Sequence, residues 1–505
     1  MNAHTAPLVT LAAVLAAALP AFAQDRPIAT DKDKADTVKV TVSGDVVLDY
    51  VYRSSEITAW TDSESNNTGA GAAATSDPEN TFEGHIAARI DVQLSNKISA
   101  VLEIGTKRVD GSPSATPPDG GILRWGEQGA LDIDLREANV TVADFLVEGL
   151  KVNLGLSNWT FDIRGNGSPF AFAPRRSQTI ERNFDSITAL VNGAETADGR
   201  LIEAAFVDEN EPVGGVISFA PPQGAWSIDI VILPATIEGG AASEDEALYA
   251  VDFWYSLESL GKGSRIGIIV ALSAFRSDSL VAGTDNEDSR VWTIGGGASL
   301  NFMDGALNVY VEAYLQRGQV TEGALGDVDA AGRAFQLGLV WRHTVGNPLP
   351  IWAGLNYFFI SGDDDTAADD EANRFGAYEG VNDLLILEDH YLGFDWDSNY
   401  TGFKISAGTT FSAAAERDLD VAVVVGITRA AEEVGAAPNE EDQLGNEVDL
   451  KVKWALTKQF SFRLSIGMLF GSDVLENAMD SGVPGSNPDA EENASLWLLG
   501  FDLKF

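Results

Sequence analysis

Ser495-Leu-Trp-Leu-Leu-Gly-Phe-Asp-Leu-Lys-Phe505 closes the chain, and its alternation decides the fold. Read back from Phe505, the residues Leu503, Phe501, Leu499 and Trp497 share one face of an extended strand, while Lys504, Asp502 and Gly500 share the other. Side chains alternate with a period of two along a strand, so this segment has one apolar and one wet face. A strand with lipid on one side and a water-filled lumen on the other has this pattern.

The same alternation recurs along the chain. Val38, Val40, Val42, Val46, Leu48 and Tyr50 oppose Lys39, Thr41, Ser43, Asp45 and Asp49. Leu307, Val309, Val311, Ala313 and Leu315 oppose Asn308, Glu312 and Gln316, and Val448, Leu450, Val452 and Trp454 oppose Asp449, Lys451 and Lys453. A soluble sandwich also alternates, but here the polar face carries full charges of both signs in strand after strand. Trp125, Trp159, Trp226, Trp352 and Trp497 near segment ends suit aromatic girdles at the two membrane interfaces.

Connections reinforce the reading. Tight turns such as Leu94-Ser-Asn-Lys97, Gly261-Lys-Gly263 and Thr457-Lys-Gln459 alternate with long polar stretches near 57–80, 112–130, 162–199, 277–289, 320–332, 362–399, 431–446 and 472–494. Outer-membrane barrels sort their loops in this way, with short periplasmic turns and long external loops. The expectation is an all-β, up-and-down antiparallel transmembrane barrel of about 18 strands over residues 37–505, with the weakest strand between Arg200 and Ala220. Leu8 to Phe22 followed by Ala21-Phe22-Ala23 reads as a secretory signal over 1–23, and 24–36 as a polar periplasmic leader. A mean hydropathy close to zero fits a chain in which every second strand residue faces water.

The 505 residues contain no cysteine, so disulfides and thiolate metal sites do not arise. With 76 acidic against 33 basic residues the net charge is −43, which excludes nucleic acid as a partner. Much of the acid lies in long connections: Asp363-Asp-Asp365, Asp369-Asp-Glu371, Glu440-Glu-Asp442, and Asp473 to Glu492. Such loops read as a solvated, mutually repelling face, or as loose Ca²⁺ or Mg²⁺ bridges to neighbouring lipopolysaccharide, with no dedicated metal-binding motif and no cofactor.

One long connection is different. Arg164, Arg175, Arg176 and Arg182 cluster with Phe170, Phe172 and Phe184 after the fifth strand. If that loop folds inward, its arginines face lumen carboxylates such as Glu103, Asp132 and Asp134 and set a transverse field; if it stays outside, they pair with acidic loops. Strand phase nominates Lys39, Asp49, Arg89, Asp91, Glu103, Arg136, Glu312, Arg342, Lys451 and Arg463 as pore-lining residues. His85, His343 and His390 lack an ordered base and orienting acid around them, so no catalytic site is expected.

Leu135-Arg-Glu-Ala-Asn-Val140, Leu150-Lys-Val-Asn-Leu-Gly155, Trp159-Thr-Phe-Asp162, Asn183-Phe-Asp-Ser-Ile187 and Ile360-Ser-Gly-Asp363 resemble runs of the alginate-export family of outer-membrane barrels. That resemblance implies an 18-stranded barrel conducting a polyanionic polysaccharide. The charge departs from it, because a uronate exporter needs a basic lumen and these lining residues are mixed. A terminal aromatic strand also resembles the sorting signal read by the barrel-assembly machinery, here through Phe505. The expectation is a diffusion channel for small polar or charged solutes in the bacterial outer membrane, with polysaccharide export as the alternative.

Overall fold

The computed structural model describes residues 38–55, 79–106, 133–156, 159–161, 175–176, 214–239, 242–279, 287–322, 326–343, 350–362, 371–372, 375, 383–388, 399–414, 417–434, 441–471 and 493–505. The expected signal and leader therefore lie outside the described residues. Eighteen strands form the wall: β1 (Lys39–Ser55), β2 (Glu79–Gln93), β3 (Ile98–Thr106), β4 (Ile133–Val142), β5 (Leu150–Leu156), β6 (Gly214–Phe219), β7 (Trp226–Gly239), β8 (Ala242–Ser256) and β9 (Arg265–Ser279). They continue as β10 (Glu287–Phe302), β11 (Leu307–Glu322), β12 (Arg333–His343), β13 (Ile351–Ile360), β14 (Tyr400–Ala414), β15 (Arg417–Val434), β16 (Glu441–Ala455), β17 (Phe460–Phe470) and β18 (Ala494–Lys504).

Each strand pairs antiparallel with the next, and β18 pairs antiparallel with β1 through Asp49↔Gly500 and Tyr52↔Trp497, so the sheet closes. Closure leaves no sheet edge, the condition under which strands can cross lipid. The weakest strand of the sequence reading is β6, inside the expected bracket. At one end all connections are short, from 94–97 to 456–459, and both strand termini of the barrel lie there. At the other end the connections after β1, β3, β5, β13 and β17 are long, whereas β7–β8, β9–β10 and β15–β16 are joined by only 240–241, 280–286 and 435–440 because these strands extend into the expected loops.

Burial is inverted relative to a water-soluble protein. Leu154 and Ile268 are each 58% exposed, whereas Asp252 is 1% and Glu312 0% exposed. Apolar groups in contact with the surroundings and ionisable groups tucked inside describe a wall whose solvent is lipid. Directly opposed residues share a face, so the register carries this assignment from strand to strand. Trp226 and Trp497 face outward toward the two ends of the wall, as a girdle requires. Trp352 does not: it lies opposite Arg342 and Gly408 on the inner face. Trp125 is outside the described residues, and Trp159 is described only by its backbone pairing.

Candidate functional site

The inner wall divides into three arcs. The first runs across β2 to β5. Arg89 bonds Asp91 at 3.1 Å and Glu103 at 3.0 Å, and its Nη1 also reaches Glu137 at 2.5 Å. From Glu137 the chain of polar groups continues through Asn139 (2.6 Å) to Asn153, whose Nδ2 donates to the Asn139 Oδ1 at 3.1 Å and to Thr141 at 2.9 Å. A second junction joins β17, β18 and β1. Arg463 Nε donates to Asp502 at 2.7 Å and its Nη2 to Asp49 at 2.9 Å. Gly500 makes this possible: a Cβ there would stand 2.2 Å from the Asp49 carboxylate. These are lumen-facing guanidinium–carboxylate pairs, each still partly open to solvent.

The second arc, β6 to β10, carries an apolar inner patch toward the long-connection end, above inward-facing Asp229, Asp252 and Arg265. Val216, Val231, Leu233, Leu248, Ala250, Ile269, Ala271 and Val291 face inward and are buried. Phe161, at the start of the connection between β5 and β6, stacks on inward-facing Trp254 with centroids 4.4 Å apart, and the Arg265 guanidinium lies 4.7 Å from the Trp254 ring centre. The connection therefore enters the barrel at Phe161. Arg175 and Arg176 pair through their backbone with Thr160 and Trp159, next to that entry point. Their side chains, and Arg164 and Arg182 altogether, lie outside the described residues, as do Asp132 and the side chain of Asp134.

In the third arc, β14 to β17, a short segment of the acidic connection after β13 lies inside the barrel. Asp383-Leu-Leu-Ile-Leu-Glu388 is buried over Leu384–Glu388, and five successive amides of this turn donate to carboxylates. Asp383 and Leu384 donate to Glu388, Leu385 to Asp449 at 2.9 Å, and Ile386 and Leu387 to the two oxygens of Glu447 at 2.6 and 2.9 Å. Lys404 holds Glu388 at 3.0 Å and Asp383 at 3.0 Å, Tyr400 donates to Glu388 at 3.0 Å, and Lys451 donates to the Asp383 carbonyl. Burial pushes the Glu388 carboxyl above its ordinary value, and the Lys404 ammonium pulls it back. The seat is cut by glycines: a Cβ on Gly426 would stand 2.5 Å from Leu384, and one on Gly467 3.2 Å from Leu385 and Ile386.

Register places Lys39, Asp49, Arg89, Asp91, Glu103, Glu312, Arg342, Lys451 and Arg463 on the inner face. Arg89, Asp91 and Glu103 meet in one cluster, and Asp49 and Arg463 in another. Lys39 and Arg342 stand exposed near the short-turn end, apart from these clusters. Glu312 is fully buried, bonded by Gln336 and by Tyr314 at 3.1 Å.

Arg136 is different. The β3–β4 register shifts between Glu103↔Glu137 and Ile104↔Leu135, leaving Arg136 as the bulge residue without a partner position on β3. The inner-wall group is Glu137; the Arg136 side chain is outside the described residues. A bulge changes the phase by one residue, which strict alternation does not anticipate. Asp229, Asp252 and Arg265 line the short-turn half of β6–β10, but above them the inner face is apolar. Runs such as Ile230-Val-Ile-Leu233 carry that signal, since a strand buried on both sides stops alternating.

Among the described residues no group of three or more His, Asp and Glu is arranged to hold a metal ion. His343 stacks on Trp341 with centroids 5.7 Å apart at the end of β12, and His390 lies outside the described residues.

No family model matches the chain and no curated protein matches it, so the alginate-export resemblance is without support. Among solved structures, the chain is similar to OccK3 (OpdO) of Pseudomonas aeruginosa, with 11% identity, 92% of this chain and 95% of that one covered, and a TM-score of 0.44. It is similar to Acinetobacter baumannii OccAB1 at 9% identity, covering 96% and 98%, with a TM-score of 0.44. The anion-selective porin from Comamonas acidovorans gives 13%, 93% and 100%, and a TM-score of 0.39. At these scores the likeness adds nothing to the strand count, which the register pairs establish by themselves.

Proposed function

We propose that this chain is an outer-membrane porin, a channel and not a catalyst, through which small polar or charged solutes diffuse. The observation that carries the reading is the closed 18-strand wall, apolar outside, with partly exposed charged pairs inside at Arg89 and Arg463. A barrel of this strand number is wide enough for an aqueous bore, in contrast to one of 8 strands, which side chains fill. Two of the three arcs are packed, by the Phe161 entry and by the Asp383–Glu388 segment. The passage then follows the arc from β17 through β1 to β5, where the cations and carboxylates interleave. Solutes would be selected there by size and by the local field.

Among the described residues the inner wall does not have the basic surplus a polyuronate exporter needs. Arg89 and Arg463, partly exposed cations there, are each offset by two or three carboxylates among Asp49, Asp91, Glu103, Glu137 and Asp502. Assembly through the terminal aromatic belongs to the proposal: Phe505 and Gly44 exchange backbone hydrogen bonds of 3.1 Å in each direction, and deleting Phe505 should lower the yield of assembled barrel. Divalent-cation bridging between acidic connections and lipopolysaccharide is tested by chelation, which should lower the melting temperature. The deciding experiment is reconstitution of the purified chain in planar bilayers. Discrete ohmic conductance steps are expected, with a measurable reversal potential in a salt gradient; a non-conducting barrel would sink the reading.

A further inference from the structure

Two inward carboxylates near the short-turn end belong to neither of the charged clusters that line the passage. Asp252 of β8 lies directly opposite Asp229 of β7 on the inner face. Cβ atoms of directly opposed residues stand about 4.5–5.5 Å apart, so the two carboxylates reach into one space. Asp229 is half-buried, but Asp252 is 1% exposed and out of reach of bulk water. Neither Asp252 oxygen has a hydrogen-bond partner. The Trp254 indole and the Asp229 amide lie near enough to act on it without closing a hydrogen bond.

The other described neighbours leave that charge unanswered. On the far side of Asp252 the register places Ile269 of β9 and then Gly295 of β10, and buried Ala250 follows on the same face of β8. Arg265 rests its guanidinium on the Trp254 ring, 4.7 Å from the centre, and bonds neither Asp252 oxygen. Asp229, by contrast, takes a hydrogen bond from the Ser218 hydroxyl of β6 and feels the Lys151 ammonium of β5. The strongest charge acting on Asp252 is thus a like one, Asp229. Burying an ionised carboxylate beside another is costly unless a cation joins them. The donors here are all oxygens, from both carboxylates and the Ser218 hydroxyl, which suits a hard divalent cation. Ca²⁺ accepts irregular oxygen shells with bidentate carboxylates, whereas Mg²⁺ demands near-octahedral geometry and keeps its waters. Two carboxylates are fewer than a self-contained metal cage supplies, so water arriving past half-buried Asp229 completes the shell.

We propose that Asp229 and Asp252 form a calcium-binding site in the inner wall of β7 and β8, next to Trp254, where Phe161 enters the barrel. The site stands whether or not the barrel conducts. Its consequence is a fixed ion that joins β7 to β8 beside the entering connection.

The test uses the full-length folded barrel in detergent, stripped with a chelator and titrated with Ca²⁺, Mg²⁺ and Tb³⁺. Tb³⁺ is a luminescent stand-in for Ca²⁺ that a nearby indole sensitises, and Trp254 is the next residue on the same face of β8. A saturable Tb³⁺ signal is expected, displaced by Ca²⁺ and about tenfold less well by Mg²⁺. Asp252→Asn, which keeps the side-chain shape, should weaken calorimetric Ca²⁺ binding by about tenfold or more. Trp254→Phe should dim the Tb³⁺ signal by far more than it weakens Ca²⁺ binding. Glu491→Gln with Glu492→Gln, in an acidic connection, should leave the Ca²⁺-displaceable signal as it is. Should Asp252→Asn fail to assemble, Asp229→Asn at the half-buried partner carries the same test. Equal Ca²⁺ and Tb³⁺ binding by the Asn variant and the unmodified chain overturns the proposal and leaves the acidic connections as the cation sites. A variant whose melting midpoint rises by the same amount with and without Ca²⁺ shows a carboxyl relieved of burial with no ion involved, which also overturns it. Conductance in planar bilayers is read separately: its absence defeats the porin reading, while the Ca²⁺ titration stands on its own result.

Discussion

The inner faces of β2–β5 and of β14–β17 both carry arrays of carboxylates, yet they neutralise them in opposite ways. In the first arc Asp91, Glu103 and Glu137 converge on the guanidinium of Arg89, side chain to side chain and open to water. In the second, Glu447 and Asp449 are buried and take backbone amides from a loop segment, with Lys404 balancing Glu388. The difference separates a lining from a lock. Partly exposed pairs shape a field at little energetic cost, because exposed pairs are worth no more than about 1 kcal/mol each. Burying carboxylates is costly unless amides or a cation offset it, so Glu447 and Asp449 favour the docked segment.

The largest test of that contrast is to remove the lock. Replacing Leu384-Leu385-Ile386-Leu387 by a Gly-Ser run takes away the apolar side chains whose burial contributes about 1.5–3 kcal/mol each. Single-channel conductance should rise by about two- to threefold as the third arc becomes water-lined. Unchanged conductance would mean that the segment does not obstruct the bore. A smaller change acts on the same seat. Lys404→Ala strands Glu388 without its cation, which costs on the order of 3–5 kcal/mol when a buried pair is broken. Hydrogen exchange at the amides of Leu385, Ile386 and Leu387 should accelerate, while amides of β3 and β4 stay as protected as before. The paired change Lys404→Met with Glu388→Gln should restore most of the protection, because the buried 388 side chain then carries no charge and the remaining partner Asp383 is exposed.

The two arcs also differ in how far they can be read from sequence. The Arg89 cluster lies on strands whose outer face is in lipid and whose inner face is wet, so residues such as Arg89, Asp91 and Glu103 follow from phase alone. The same holds for Asp49 and Arg463, and for the closing strand itself. Phase misses Glu137, which lies beside a bulge and joins the Arg89 cluster. It fails again on the upper part of β6–β10, where apolar residues pack on the inner face above Asp229, Asp252 and Arg265 and alternation carries no information about which side is wet. The lock is harder still. Leu384 to Leu387 form an apolar island inside an acidic connection, and their partners Glu447 and Asp449 are about 60 positions away. The island is visible in the sequence, but its docking is a tertiary fact.

On the lining side of the comparison the expected effects are smaller. Arg89→Gln leaves Asp91, Glu103 and Glu137 facing one another without a cation, and the barrel should lose on the order of 1 kcal/mol of stability, since the cluster is partly exposed. Its reversal potential in a salt gradient should move toward cation preference, because a lumen cation has gone and three carboxylates remain. Conductance itself should change little. An unchanged reversal potential would show that Arg89 is not on the ion path.

The smallest effect is expected from charge reversal at Arg175 and Arg176. Their backbone pairs with Trp159 and Thr160, one residue before Phe161 enters the barrel and stacks on Trp254. The pairing puts the backbone of both arginines beside the neck of the entering loop. Arg175→Glu with Arg176→Glu should therefore shift the reversal potential in the same direction as Arg89→Gln, but by less, because the wall beside the neck is packed rather than conducting. The two changes should add if the neck and the Arg89 cluster act independently on the same ion path. No shift from the Arg175 and Arg176 reversal would remove the constriction role and leave Arg89 and Arg463 as the groups that set the field.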